Sequence, residues 1–320
     1  MGICDSSSES PHNYNKVKID GEIKDISTDY LLDKSIKTPI KKKYKFNESD
    51  IGKGSFGEVI LATDKTGQKY AIKIIKKKKI VKGQLLANEV RIATIMNHPN
   101  ILGIKEVFED MKNISFVMQF FEGGDLFDFI TKNPQGKLDD YNTIDILCQI
   151  LSALNYLHNK IGICHRDIKP ENFLITINEQ NRPILKLIDF GLAQYIYRGE
   201  KMQGEIGTLM YMAPEIILKE PYDEKVDVWS AGVILYNMMT GYEPFSGGDK
   251  DFKRMEIVNR PINFDIIKNN DLRDLCKEML EKDPEKRIDA KTALEKANMI
   301  KRKYLMNIKY LFTFKLFGSL

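Results

Sequence analysis

The run His165-Arg166-Asp167-Ile168-Lys169-Pro170-Glu171-Asn172 constrains this chain more than any other stretch. It sets three kinds of chemistry side by side. The Asp167 carboxylate can accept a proton from an attacking hydroxyl, the Lys169 ammonium can neutralise a phosphoryl group in transfer, and the Asn172 amide oxygen can ligate magnesium. Downstream, the apolar run Leu185-Lys186-Leu187-Ile188 leads into Asp189-Phe190-Gly191. Asp189 adds a second hard oxygen ligand, suited to a magnesium ion that bridges phosphates. Met212-Ala213-Pro214-Glu215 and Asp227-Val228-Trp229-Ser230 then follow in order.

Upstream, Gly52-Lys53-Gly54-Ser55-Phe56-Gly57 has G-x-G-x-x-G spacing, which alone also fits a dinucleotide-binding turn. Context separates the two. In the dinucleotide turn the third glycine opens a helix, whereas Gly57 leads into Val59-Ile60-Leu61-Ala62 and the turn Lys65-Thr66-Gly67. That predicts a hairpin whose tip lacks side chains at 52, 54 and 57, so that backbone N–H groups can close over phosphates. A glycine-rich hairpin without a ligand is the plainer alternative. In Tyr70-Ala71-Ile72-Lys73 a lysine stands among apolar strand residues, where its ammonium is costly unless it reaches an anion. Glu89, in a predicted helix over 83–96, can pair with Lys73 and hold it against phosphate oxygens. The alternative is a solvated Lys73, like the lysines at 76–79.

Periodicity divides the chain. Residues 44–51, 57–64 and 67–75 alternate between glycine punctuation as antiparallel strands do, and 104–109 and 114–120 read as two more. From Asp125 onward, apolar stripes at 125–132, 140–160, 226–240 and 271–280 recur with helical spacing. A small β-rich lobe thus precedes a larger helical one, and the predicted class is α+β. With 42% hydrophobic and 29% charged residues and a net charge of +4, the composition is globular and gives no support to a nucleic-acid partner. No run of 18 apolar residues suggests a membrane span, and no apolar stretch behind Met1 suggests a secretory leader. Cys4, Cys148, Cys164 and Cys276 form no C-x-x-C pair, which argues against a cysteine-built zinc site or disulfide scaffold and fits a reducing cytosol.

Further motifs sharpen the picture: His98-Pro99-Asn100-Ile101, Glu122-Gly123-Gly124-Asp125-Leu126-Phe127, Lys201-Met202 before Ile206-Gly207-Thr208, and Tyr242-Glu243-Pro244-Phe245. In this order, the set resembles a eukaryotic protein kinase over about residues 44–298. It is most similar to the calcium/calmodulin-dependent group, above all the calcium-dependent protein kinases. The resemblance implies a bilobal kinase fold with lobes at 44–121 and 122–298, use of ATP and Mg2+, and transfer to Ser/Thr of protein substrates. It implies nucleotide contacts at Ile51, Gly52, Gly54, Gly57, Val59, Ala71, Lys73 and Leu174, with a gate at Met118. Gln119, where an acid is usual, and Phe121 supply the hinge, and Asp125 reaches the ribose. Catalysis falls to Asp167, Lys169, Asn172, Lys73 and Glu89, and metal binding to Asn172 and Asp189. Thr208 is implied to hydrogen-bond Asp167 and favour Ser/Thr substrates. Asp125 and Glu171 are implied to favour Arg or Lys three residues upstream, with Asn237 where a third acid often stands. Glu215 and Arg287 form an architectural pair, and a hydrophobic column runs through Ala93, Ile104, Phe190 and His165, Ala93 being small where Leu is common. Lys296-Ala297-Asn298 replaces a common His-Pro-Trp, so the last helix is expected to end or dock differently.

Residues 1–43 read as an unstructured tail. Met1-Gly2-x-x-x-Ser6 fits N-myristoylation of Gly2. Cys4 as a palmitoylation site, or Lys41-Lys42-Lys43, would give the second membrane signal that one acyl chain needs; an unmodified tail is the alternative. Residues 299–320 alternate apolar and basic positions, as in a basic amphipathic tail that binds calmodulin or another calcium sensor, or caps the kinase. No D-x-[DN]-x-[DN]-G loop occurs, so these 320 residues hold no EF-hand. No Ser or Thr lies between Gly191 and Gly207, and Glu200 or Glu205 is expected to pair with Arg166 in place of a phosphate. The leading expectation is an active cytoplasmic, membrane-associated Ser/Thr kinase. The competing one is a pseudokinase scaffold, disfavoured by the joint presence of Lys73, Glu89, Asp167, Asn172 and Asp189. A dinucleotide oxidoreductase rests on the glycine motif alone.

Overall fold

The computed structural model describes residues 16–19, 22–25, 35–54, 57–78, 92, 95–197, 199–245 and 247–317, with side chains described at 35–47, 58–78, 92, 95–197, 199–245 and 247–306. Strands β1 (Lys16–Ile19) and β2 (Glu22–Asp25) pair with each other. Strands β3 (Lys45–Gly54), β4 (Gly57–Thr63), β5 (Lys69–Lys76), β6 (Ile104–Glu109) and β7 (Asn113–Gln119) form one antiparallel sheet in the order β3-β4-β5-β7-β6. The class is α+β, and each strand lies close to where alternation placed it.

Period two separates the faces of this sheet. Ile60, Ala62, Tyr70, Ile72 and Val117 are buried with Tyr44 and Phe108 in a small core. The neighbouring positions Val59, Ala71 and Lys73 take the other face, with Val59 opposite Lys73 and Ala71 opposite Met118 in the ladder. One alternation thus builds the small core and presents the nucleotide-contact candidates together.

The expectation of an unstructured segment over 1–43 is corrected at 16–19, 22–25 and 35–43. The Ile36 N–H donates to Val107 O at 2.8 Å and the Glu109 N–H donates to Ile36 O at 3.1 Å, which extends the edge of β6. An edge strand presents unpaired main-chain groups, and Ile36 supplies the missing partners. Ser35 Oγ donates to Glu109 Oε2 at 2.7 Å, and Lys37 and Lys77 pair with the same carboxylate. Tyr44 then packs edge-on against Tyr70 and Phe108, with ring centroids 5.3 and 6.0 Å away. Gly2 and Cys4 lie outside the described residues.

The helical lobe contains α1 (Leu126–Thr131), α2 (Asp140–Asn155), α3 (Pro214–Ile217), α4 (Lys225–Thr240), α5 (Lys250–Asn259), α6 (Asn270–Met279) and α7 (Ala290–Phe317). Two hairpin strands, β9 (Phe173–Ile177) and β10 (Pro183–Leu187), follow the short β8 (Ile163–Cys164), which pairs with β11 (Gln194–Tyr195). Buried residues of α2, α4 and α6, among them Leu151, Trp229, Val233 and Leu275, form the main core. Arg287 binds Glu215 through both terminal guanidinium nitrogens at 2.6 and 3.0 Å and lies 5.1 Å over the Trp229 ring, with both charged side chains buried.

The structure shows no break at the expected domain end, 298. Helix α7 runs unbroken across it, since 290–317 contains neither Gly nor Pro to stop it. Ile300 packs on the main core, Lys301 pairs with Asp145 at 2.5 Å, and the Tyr304 hydroxyl donates to Asp140 at 2.6 Å. The early turns of the predicted tail therefore prop α2 and α6. Among the described residues no helix is long and apolar enough to cross a membrane.

Candidate active site

The loop that carries Asp167 leaves β8 and turns over a buried acid on α4. Asp227 accepts the His165 N–H through Oδ2 and the Arg166 N–H through Oδ1, both at 2.8 Å, while His158 Nε2 lies 2.8 Å from Oδ2. Burial alone would raise the Asp227 carboxyl; the His158 hydrogen bond and the two imidazoles outweigh it and hold the group below the ordinary carboxylate value. In the sequence Asp227 stands in the Asp227-Val228-Trp229-Ser230 motif with no assigned role. Its signal was present: an acid among the apolar positions of the 226–240 stripe needs buried donors.

Asp167 sits where the loop faces the cleft. Thr208 Oγ1 donates to Asp167 Oδ1 at 2.7 Å, Lys169 Nζ pairs with Oδ2 at 2.8 Å, and Asn172 Nδ2 donates to the Asp167 carbonyl at 2.7 Å. Lys169 Nζ also donates to Thr208 Oγ1 at 3.0 Å, closing a triangle of three side chains. Burial raises the Asp167 carboxyl, but the Lys169 and Thr208 hydrogen bonds prevail and keep it ionised below its ordinary value. Thr208 is brought there by Gly207, whose φ is +115°; a Cβ at that position would stand 2.5 Å from Arg166 O.

The Ile188 N–H donates to Asn172 O at 2.8 Å, so the end of the β10 segment delivers Asp189 beside Asn172. Asp189 is exposed, and Phe190 is buried with its ring edge-on to His165 at 5.2 Å. Two of the four members of the predicted column thus meet; Ala93 lies outside the described residues. No cluster of three or more His, Cys, Asp or Glu that could hold a metal exists among the described residues. A two-oxygen donor set fits magnesium, which keeps waters and phosphate oxygens as its other ligands.

The nucleotide candidates converge from the other lobe. Val59, Ala71, Lys73 and Met118 are partly exposed on the sheet face described above. Gly52 pairs with Val59 and Gly54 with Gly57, so Ile51 and the glycines belong to a hairpin and the dinucleotide helix is excluded there. Gln119 ends β7 with an exposed side chain, and Phe121 is buried just past it. Asp125 caps α1, accepting the Asp128 N–H at 2.8 Å, and bridges to Leu174 in the main chain. Glu89 lies outside the described residues, so its pairing with Lys73 is not described.

Glu171 is exposed beside Tyr211, whose hydroxyl is raised by burial and by Glu171, Glu243 and Asp167 in that order. Of the two acids expected to pair with Arg166, Glu200 or Glu205, the Glu205 alternative is corrected. Arg166 Nε donates to Leu192 O at 2.7 Å and its guanidinium adjoins the Tyr222 hydroxyl, while Glu205 pairs with Arg254 of α5.

Comparison with known proteins agrees with this geometry. The family model described as "Protein kinase domain" matches residues 45–299. "Calcium-dependent protein kinase 5" of Plasmodium falciparum (isolate 3D7) is 39% identical over 257 residues, 79% of this chain and 44% of that protein. "Calcium-dependent protein kinase 5" of Plasmodium berghei (strain Anka) is 44% identical over 213 residues, 66% and 37% of the two chains. "Calcium-dependent protein kinase 4" of the same organism is 39% identical over 253 residues, 77% and 47% of the two chains. The chain spans less than half the length of these relatives.

Proposed function

This chain belongs to the protein kinase family, and from that premise we propose that it transfers the γ-phosphate of ATP to serine and threonine hydroxyls of proteins. The observation that carries the reading is the triangle of Asp167, Lys169 and Thr208. Asp167, ionised and fixed in place, receives the proton of the attacking hydroxyl. Lys169 sets a positive charge where the phosphoryl group crosses. Thr208 orients the base, which supports a preference for Ser/Thr acceptors. Asn172 and Asp189 would hold Mg2+, which neutralises phosphate charge when bound. Val59, Ala71, Met118 and Leu174 would enclose adenine, with the main chain of Gln119 and Phe121 orienting it and Lys73 meeting phosphate oxygens.

Glu171 and Asp125 support a preference for Arg or Lys three residues upstream of the target. Helix α7 exposes Met299, Leu305 and Met306 while Ile300, Lys301 and Tyr304 face the lobe. The exposed set supports a calcium sensor, calmodulin among them, as partner. Gly2 and Cys4 as acylation sites would place the kinase on the cytoplasmic side of a membrane.

Phosphotransfer from magnesium ATP to Ser, Thr and Tyr peptides, with and without an upstream Arg, tests the reading. Transfer to Ser/Thr peptides is expected. Nucleotide binding without transfer would establish the scaffold alternative instead.

A further inference from the structure

The chain between Asp189-Phe190-Gly191 and Thr208 is anchored at both ends. At the near end β11 pairs with β8, and Met202 and Tyr222 exchange main-chain hydrogen bonds of 2.7 and 2.9 Å. At the far end Thr208 is tied to Asp167. Between these anchors Gly204 and Gly207 adopt φ of +100° and +115°, and glycine backbone does little to set its own course. The Gly204 carbonyl accepts the Tyr222 hydroxyl at 3.2 Å, and beyond it the Glu205 carboxylate pairs with Arg254 on α5.

We propose that the Glu205–Arg254 pair positions the substrate-binding turn, holding Thr208 against Asp167 by a permanent ion pair to α5. The proposal rests on the kinase reading above. Three observations support it. The segment has no Ser or Thr between Gly191 and Gly207 to carry a phosphate. Arg166, the residue a phosphate would engage, already donates through Nε to the Leu192 carbonyl at 2.7 Å. Lys253, next to Arg254, pairs with Glu243 at 3.2 Å and reaches the Met210 sulfur at 3.7 Å, so α5 grips the turn on the other side of Thr208 as well. Glu205 and Arg254 are 24% and 33% exposed, so water screens the pair less than it screens a fully solvated one.

The test uses full-length protein made in bacteria and checked phosphate-free by mass spectrometry. Glu205→Gln and Arg254→Gln are each expected to raise the peptide KM about two- to fivefold, the scale of one partly exposed ion pair, with the ATP KM unchanged. Amide hydrogen exchange at 203–207 is expected to quicken in both, with the β8–β11 pairing unaffected. The charge exchange Glu205→Arg with Arg254→Glu is expected to restore both readouts, which a loss of packing alone would not do. A single variant with wild-type peptide KM and wild-type exchange overturns the proposal, as does a charge exchange no better than either single variant. Should the wild-type protein transfer no phosphate, the kinase reading fails, and the exchange pattern at 203–207 alone still decides whether the pair fixes the turn.

Discussion

Asp227 receives the main-chain N–H of Arg166 at 2.8 Å, and Arg166 stands there with φ of +65°. A non-glycine residue in that region is strained, and a buried carboxylate that also holds the His165 N–H keeps it so. Asp227→Ala is expected to leave those donors without an acceptor. A loss of about 3–5 kcal/mol of stability, the usual scale for breaking a buried charged network, should appear in urea unfolding. Phosphotransfer by the fraction that stays folded should also fall, because the Asp167 loop loses its support. Unchanged unfolding would show that the loop holds its own shape.

Asp167→Asn keeps the shape of the side chain and removes the base. Phosphotransfer is expected to fall by about 10²–10⁴-fold with ATP affinity nearly unchanged, measured by peptide assay and nucleotide titration. Asp189→Ala should instead weaken magnesium-dependent nucleotide binding, since that carboxylate is the exposed oxygen donor. Equal behaviour of the two variants would contradict the separate roles.

Glu109 makes the edge of β6 acid-sensitive. Hydrogen bonds from Lys37 and Lys77 lower its carboxyl to about 2 from an ordinary 4.5. Because the folded value is the lower one, the stabilisation is complete above about pH 4.5 and is lost as the pH falls toward 2. Glu109→Gln should therefore melt about 2–4 °C below the wild type at pH 7, with the gap closing between pH 4.5 and 2. A gap that stays constant with pH would point to packing of the side chain.

Truncation after Asn298 is expected to lower the melting temperature, because it removes Lys301 from Asp145 and Tyr304 from Asp140 and uncovers core beneath Ile300. Lys301→Ala alone should reproduce part of the loss by leaving the nearly buried Asp145 carboxylate unpaired. Peptide KM separates this role from inhibition: a prop leaves it unchanged in the folded fraction, whereas a lid over the groove would lower it on removal.

Local pattern carried much of this molecule. Alternation predicted the strands that carry Val59, Ala71 and Lys73 and the family resemblance gave them their nucleotide contacts; the ladder then sets them on one sheet face, since side-chain direction repeats every second residue. Motif chemistry likewise brought Asp167, Asn172 and Asp189 together with Thr208 through the family resemblance. The candidates missed or misplaced depend on neighbours distant along the chain. Asp227 acquires its role from two main-chain groups at 165 and 166, 61 or more residues away.

The amino-acid sequence by itself determined the two lobes, the glycine hairpin and the order of the candidate catalytic groups, because alternation, helical spacing and turn chemistry are properties of adjacent residues. Tertiary structure alone decided that Glu205 meets Arg254 and not Arg166, that 35–44 lies along β6, and that α7 continues past 298 onto α2. A charge or a strand edge accepts any suitable partner within a few ångströms, and only the packed chain sets which one stands there.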